Sequence, residues 1–328
     1  MPVWFVVACC GPAAAASAGV HLGAAELKPR LGLEASYDDN IFLQSVTPTG
    51  STILRVTPGL DVRLERKRMK LRGGYELSSL NYAIFPKANN ALHQTGYVAF
   101  SQEFAKAASF SLEEAFKATT DPASSELTER AKRAQNDVGI GLELPLSGKT
   151  FAGVRVSDTL TCYRRASLAA LLDRDEVLAG LRGGYVLTAK TRTYAFARYA
   201  SVAYVTNLSN ESSGLLAGAG LQGEITKRIT GTLELGSMSR HYTRTVSGGT
   251  RDTTAPRYDV ALTWEGPRDW KVRVNGERGF SDSVFNRFFV TSALGGNVSK
   301  PLGKHAKVAV LGSWGLDQYP DLNPEFAR

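Results

Sequence analysis

A few residue groups in this 328-residue chain are of types that do chemistry. His241 lies two residues from Ser239 and four from Ser237, a base close to hydroxyls of the kind that hydrolyse esters or peptides. No motif supplies the Asp or Asn that would orient that base, so His241 reads as a surface histidine near a loop. Asp38-Asp39-Asn40 offers oxygen donors suited to Ca²⁺ but lacks the remaining ligands of an EF-hand loop, and it reads as an Asx-rich turn at a strand end. The other histidines are His21, His93 and His305. Of three cysteines, Cys9 and Cys10 sit near the start and leave Cys162 alone in the body, which excludes an internal disulfide and a Cys-rich metal site. The chain is therefore expected to be no enzyme and to carry no cofactor and no metal.

The larger chemical resource is charge. The formal net charge is +8, from 39 Lys+Arg against 31 Asp+Glu. The basic residues are spread along the chain rather than gathered in one stripe, so nucleic acid is excluded as a partner. What organises the charges is alternation with apolar residues. Leu31, Leu33, Ala35 and Tyr37 share one parity, as do Met69, Leu71, Gly73, Tyr75 and Leu77; Lys70, Arg72 and Glu76 take the other. The pattern returns in Val138–Leu146, Val177–Leu187, Tyr258–Trp264, Trp270–Val274 and Val308–Trp314. Successive strand side chains point to opposite faces, so each segment has one apolar and one polar face. No stretch has convincing helical spacing. The chain reads as all-β.

Short connections centre near Arg66, Lys106, Gly148, Ala189, Lys227, Pro267 and Leu302, and longer ones fall between them, a repeat of about forty residues with two long strands in each. A β-sandwich has strands of about 5–6 residues, and a propeller packs four short strands into such a repeat. Long strands with short turns at one end and long loops at the other predict a transmembrane antiparallel up-and-down β-barrel. Phe104, Phe110, Phe151, Tyr194, Trp264 and Trp270 flank the short turns, and Tyr37, Tyr82, Tyr163, Tyr204, Tyr242, Tyr258 and Phe288 lie beside the long loops; they are expected to form two interfacial girdles. Fifteen strands are visible. Single-chain bacterial barrels have even strand numbers, so at least one more strand is expected in the complete protein, with residues 26–328 a barrel truncated at its C-terminal end.

Residues 1–25 are expected to be a signal peptide cleaved after Ala18 or Ala25, with a weaker lipoprotein reading on Val6-Val7-Ala8-Cys9. The destination is the bacterial outer membrane, whose lipid is the first partner.

The segment Leu31-Gly32-Leu33-Glu34-Ala35-Ser36-Tyr37-Asp38-Asp39-Asn40-Ile41-Phe42, with Arg55-Val56-Thr57-Pro58-Gly59-Leu60 after it, resembles the opening of the putative β-barrel porin family. That family includes outer-membrane barrels from exopolysaccharide and capsule export clusters. The resemblance implies an outer-membrane barrel of 16–18 strands in the complete protein, a porin-like channel with a part in exopolysaccharide export, and an exopolysaccharide chain and periplasmic export proteins as partners. Other readings are a non-conducting barrel that serves as an assembly platform and, further off, an outer-membrane hydrolase. By strand parity, the lumen-lining candidates are Arg55, Asp61, Arg63, Lys70, Arg72, Glu76, Glu143, Arg182, Glu224, Arg257, Asp259, Lys271, Arg273 and Glu277. Eight are basic and six acidic, too even a split to fix selectivity.

Overall fold

The computed structural model describes residues 19–42, 47–104, 108–121, 130–207, 210–243, 252–283, 288–302 and 306–319. Residues 1–18, with most of the expected signal peptide, and His305 lie outside the described residues.

Alternating apolar and polar residues fold into strands that pair with their sequence neighbours. They are β1 (Val20–Leu22), β2 (Ala25–Asp38), β3 (Ser51–Arg66), β4 (Met69–Tyr82), β5 (Ala91–Glu103), β6 (Ser109–Thr119), β7 (Arg133–Pro145) and β8 (Thr150–Tyr163). β9 (Arg174–Thr188), β10 (Thr191–Tyr204), β11 (Ser212–Thr226), β12 (Ile229–Tyr242), β13 (Asp252–Glu265), β14 (Lys271–Asp282), β15 (Phe288–Leu302) and β16 (Ala306–Gln318) follow. All sixteen form one antiparallel sheet in sequence order. β2–β16 are the fifteen strands legible in the sequence, and β1 adds a three-residue hairpin arm. At 11 to 16 residues, β2–β16 reach or exceed the roughly 9–11 a tilted strand needs to cross a bilayer. No helix among the described residues is long and apolar enough to cross one.

Two long loops carry short helices. Pro86–Asn89 forms α1 and Ala166–Leu172 forms α2. Both are too short to show a periodic face; Leu172 of α2 packs with Ala131 and Tyr163 where its loop meets the sheet.

Register fixes the faces, because residues paired across an antiparallel ladder lie on the same side. Arg63 pairs with Arg72 and Glu26, while Leu64 pairs with Leu71 and Ala25. The charged face is concave. Arg192 on β10 reaches Glu143 on β7, three strands and about 14 Å away on a flat sheet, with an Nη1–Oε1 distance of 2.6 Å. The apolar face is convex and exposed, as Leu181, Leu235 and Val310 show. The sheet is the wall of a barrel that is not closed among the described residues: β16 and most of β2 are its free edges.

Two places interrupt the wall. The β3–β4 ladder skips Thr57 and Pro58, because proline has no N–H to give; the Thr57 and Ser78 hydroxyls bridge the gap at 3.1 Å. The β13–β14 ladder ends at Asp259–Glu277. Above it, Phe280, Phe288 and Val290 pack on Met238, Tyr242 and Ala255, so the loop end of the β14–β15 hairpin leans over the inner face of β12 and β13.

Candidate functional site

The register places all fourteen candidates, Arg55, Asp61, Arg63, Lys70, Arg72, Glu76, Glu143, Arg182, Glu224, Arg257, Asp259, Lys271, Arg273 and Glu277, on the charged face. It brings them together in groups. On β2–β4, Arg30 holds Asp61 at 2.7 Å and lies 3.9 Å from Glu76, Arg55 lies 3.7 Å from Glu34, and Arg63 and Arg72 share Glu65. On β13, Arg257 is 3.4 Å from Asp259, and Lys271 across the next turn reaches Glu265 at 3.2 Å. At the β9–β10 turn the Glu224 carboxylate, 2.7 Å from Lys190, accepts its hydrogen bond and holds that ammonium above the usual lysine range.

The densest group runs over β6–β12 and is built mostly from residues the sequence reading passed over. Arg182 and Arg192 both donate to Glu143, Arg155 donates to Glu113 at 2.6 Å, and Arg198 donates twice to Glu234, at 2.8 and 2.6 Å. The Tyr194 hydroxyl adds a third bond to Glu234 at 2.8 Å. Phe151, Tyr194 and Phe196 are buried among these groups, and Arg198 stacks 4.2 Å from the Phe196 centroid. Such stacking suits the planar, weakly hydrated guanidinium.

Glycine makes room for this layer. The sequence echo Leu71-Arg72-Gly73-Gly74-Tyr75 and Leu181-Arg182-Gly183-Gly184-Tyr185 has a structural meaning at its second glycine. The Tyr97 ring lies on Gly74 and the Phe151 ring on Gly184, so closely that neither position could hold a Cβ.

The girdle expectation needs correction for these rings. Phe151 and Tyr194 stand beside short turns but share parity with Arg155 and Arg192, and they are buried on the inner face. Tyr82, Tyr163, Tyr204 and Tyr242 each end a strand and are also buried on that face, while Phe288 is buried in the β14–β15 overhang. The outward aromatics form two different rows. Phe110 and Phe116 on β6, and Trp264 and Tyr258 on β13, lie six residues apart; Tyr199 lies six residues beyond Thr193, the partner of Tyr185. Six residues span about 20 Å along a strand, close to the roughly 25 Å apolar band of outer-membrane barrels.

His241 is on the outer face at the loop end, where its Nδ1 meets the Asp252 carboxylate. Asp252 is the carboxylate that sequence spacing could not find. The Ser239 hydroxyl is taken up by the Leu215 backbone, at 3.2 and 3.3 Å, and among the described residues no serine hydrogen-bonds His241. His93 lies on the inner face, bonded to Thr119 and Thr120. Asp38 accepts the Asn40 amide at 2.9 Å, which closes the Asx turn. Cys162 is a free, exposed thiol.

In the comparison with known proteins, the sequence model of a family described as putative beta-barrel porin 2 matches residues 13–288. No curated protein matches the chain.

Proposed function

Because the chain belongs to the putative beta-barrel porin 2 family and forms a porin-like outer-membrane barrel wall, we propose that it is a conducting channel for polar, negatively charged solutes, with an exopolysaccharide as its exported cargo. One observation carries the anionic part. In the β6–β12 group three of the four guanidinium groups stand in front and two of the three carboxylates behind, while Glu113 is as exposed as its partner Arg155. The side chains of Arg155, Arg182 and Arg192 are 51%, 41% and 46% exposed, against 17% for Glu143 and 10% for Glu234. A solute passing that wall meets positive charge, although acid and base are nearly balanced by count. Exposed Arg and Lys bias a pore toward anions, and a layer of fixed charges suits a hydrated sugar chain better than an apolar solute. Periplasmic export proteins would meet the short-turn end.

A second reading, the non-conducting platform, draws support from the overhang of Phe280, Phe288 and Val290 across the inner face. Planar-bilayer recordings in a KCl gradient separate the two. A steady conductance with an anion-selective reversal potential is expected. Cation selectivity would overturn anion passage, and a sealed bilayer would leave the platform.

A further inference from the structure

We propose that a hollow in the inner wall between β6 and β10 is a binding subsite for one acidic sugar unit, a hydroxylated ring that carries a carboxylate. The assignment rests on the channel reading and gives it a place of contact.

The hollow exists because Gly141, Gly153 and Gly180 fall on the inner face of three adjacent strands and put no side chain over the floor. It is about 170 Å³ in volume and is lined by Ser109, Ser111, Glu143, Arg155, Arg182 and Arg198, among others. That is room for one small solute, below the roughly 300–1,000 Å³ of sites for drug-sized ligands.

Three features point to the ligand. First, Glu143 is a single carboxylate between Arg182 and Arg192, so this part of the wall holds one guanidinium charge in excess. Second, each of these arginines uses only part of its fork on its carboxylate. The Arg155 and Arg182 side chains remain about half exposed, with donors free for a planar carboxylate. Third, the Ser109 and Ser111 hydroxyls make no hydrogen bond among the described residues. They face the arginines across the glycine floor and can exchange hydrogen bonds with ring hydroxyls. A guanidinium pair on one side and free hydroxyls on the other match a carboxylate and a polyol held in one molecule. The aromatic faces nearby do not take part in stacking on a sugar, because Arg182, Arg192 and Arg198 already lie over them.

The test uses the full chain refolded in detergent, titrated calorimetrically with trigalacturonate, maltotriose and inorganic phosphate at low salt, where such contacts are least screened. Trigalacturonate is expected to bind at least ten-fold more tightly than either of the others. Arg182→Gln and Arg155→Gln should each weaken it about ten-fold, the scale of one lost charge-assisted hydrogen bond. Glu143 keeps Arg192 when Arg182 is replaced, so the fold has no new orphan charge. Lys67→Gln, an equal change of net charge in a distant turn, should leave binding unchanged. Equal affinity for maltotriose or phosphate would overturn the assignment, as would wild-type binding by both arginine variants. The same preparation is then placed in bilayers. A sealed bilayer with selective titration defeats the channel and leaves the subsite, whereas conductance without selective titration does the reverse.

Discussion

Two arginine–carboxylate pairs on the inner face are both two-pronged, with similar bond lengths, and are opposite in setting. Arg30 clasps Asp61 with two nitrogens, at 2.7 and 3.1 Å, and Arg198 clasps Glu234 with two, at 2.8 and 2.6 Å. Around the first the wall is open: Arg30 is 50% exposed and Asp61 29%. Around the second it is closed by Tyr194 and Phe196, and Glu234 is 10% exposed. Water screens the first pair and weakens what it contributes. The second is largely out of water, so breaking it strands a charge. One strand grammar thus makes two kinds of setting, a solvated lattice on β2–β4 and a packed patch around Arg198 and Glu234 on β10–β12, and the surroundings rather than the pairing decide which.

The sharpest way to break this contrast is Glu234→Ala. It leaves the Arg198 guanidinium and the Tyr194 hydroxyl without their acceptor, and it should destabilise the folded barrel by about 3 kcal/mol. Urea unfolding from lipid vesicles would measure it. The double variant Arg198→Met with Glu234→Leu should recover most of that loss, since replacing both partners of a buried pair with apolar groups is often neutral. Failure of the double variant to recover would mean that the pair holds the wall by geometry the apolar layer cannot replace.

The next effect tests the two faces against each other. Val260 lies between Trp264 and Tyr258 on the outer face of β13, and Ala261 beside it faces inward. Val260→Arg should cost about 2–4 kcal/mol, as for a charge near the middle of a bilayer. Ala261→Arg should cost under about 1 kcal/mol, because it adds one more charge to a charged wall. A similar cost for both would remove lipid from the convex face.

Much of this was legible in the residues, and the limits have physical reasons. Parity alone separates the faces, so strand number, turn positions and the side taken by Arg63 or Glu143 follow from alternation. The same parity would have placed Phe151 with Arg155 and Phe110 with Leu112. Grouping rings by nearness to a turn discarded that signal, because distance along a strand says how deep a residue lies and not which way it faces. Glu143 with Arg192, or Arg198 with Glu234, could not be read from sequence. Those contacts join strands two or three apart, and curvature and stagger bring them together. The helix α2 was missed because seven residues carry no periodicity to detect.

Glu113 and Glu114 show what parity still reveals once the register is known. Glu113 faces inward and takes Arg155, while Glu114 points outward between Phe110 and Phe116, with Val98 and Val138 as its partners on the two neighbouring strands. Glu114→Leu should therefore stabilise the barrel by about 1 kcal/mol, since an acidic side chain is less costly toward lipid than Arg or Lys but still unfavourable. A loss of stability would mean that Glu114 meets something other than lipid.

The smallest expected effect is the most discriminating for the solvated wall. Arg30→Gln removes the charge that Asp61 and Glu76 share. Were arginine–carboxylate geometry itself the source of stability, this variant would approach Glu234→Ala in cost, since the two clasps match within a few tenths of an ångström. With both partners in contact with water, the loss should stay under about 1 kcal/mol and shrink further as salt is raised from about 0.05 to 1 M. The same change should still alter the current, because a charge removed from an exposed wall acts on ions that pass it. Unfolding curves at two salt concentrations, set beside reversal potentials of the same variant, read the two consequences separately. A stability loss near that of Glu234→Ala that does not respond to salt would show that the β2–β4 wall is packed like its counterpart, and that exposure is not what divides them.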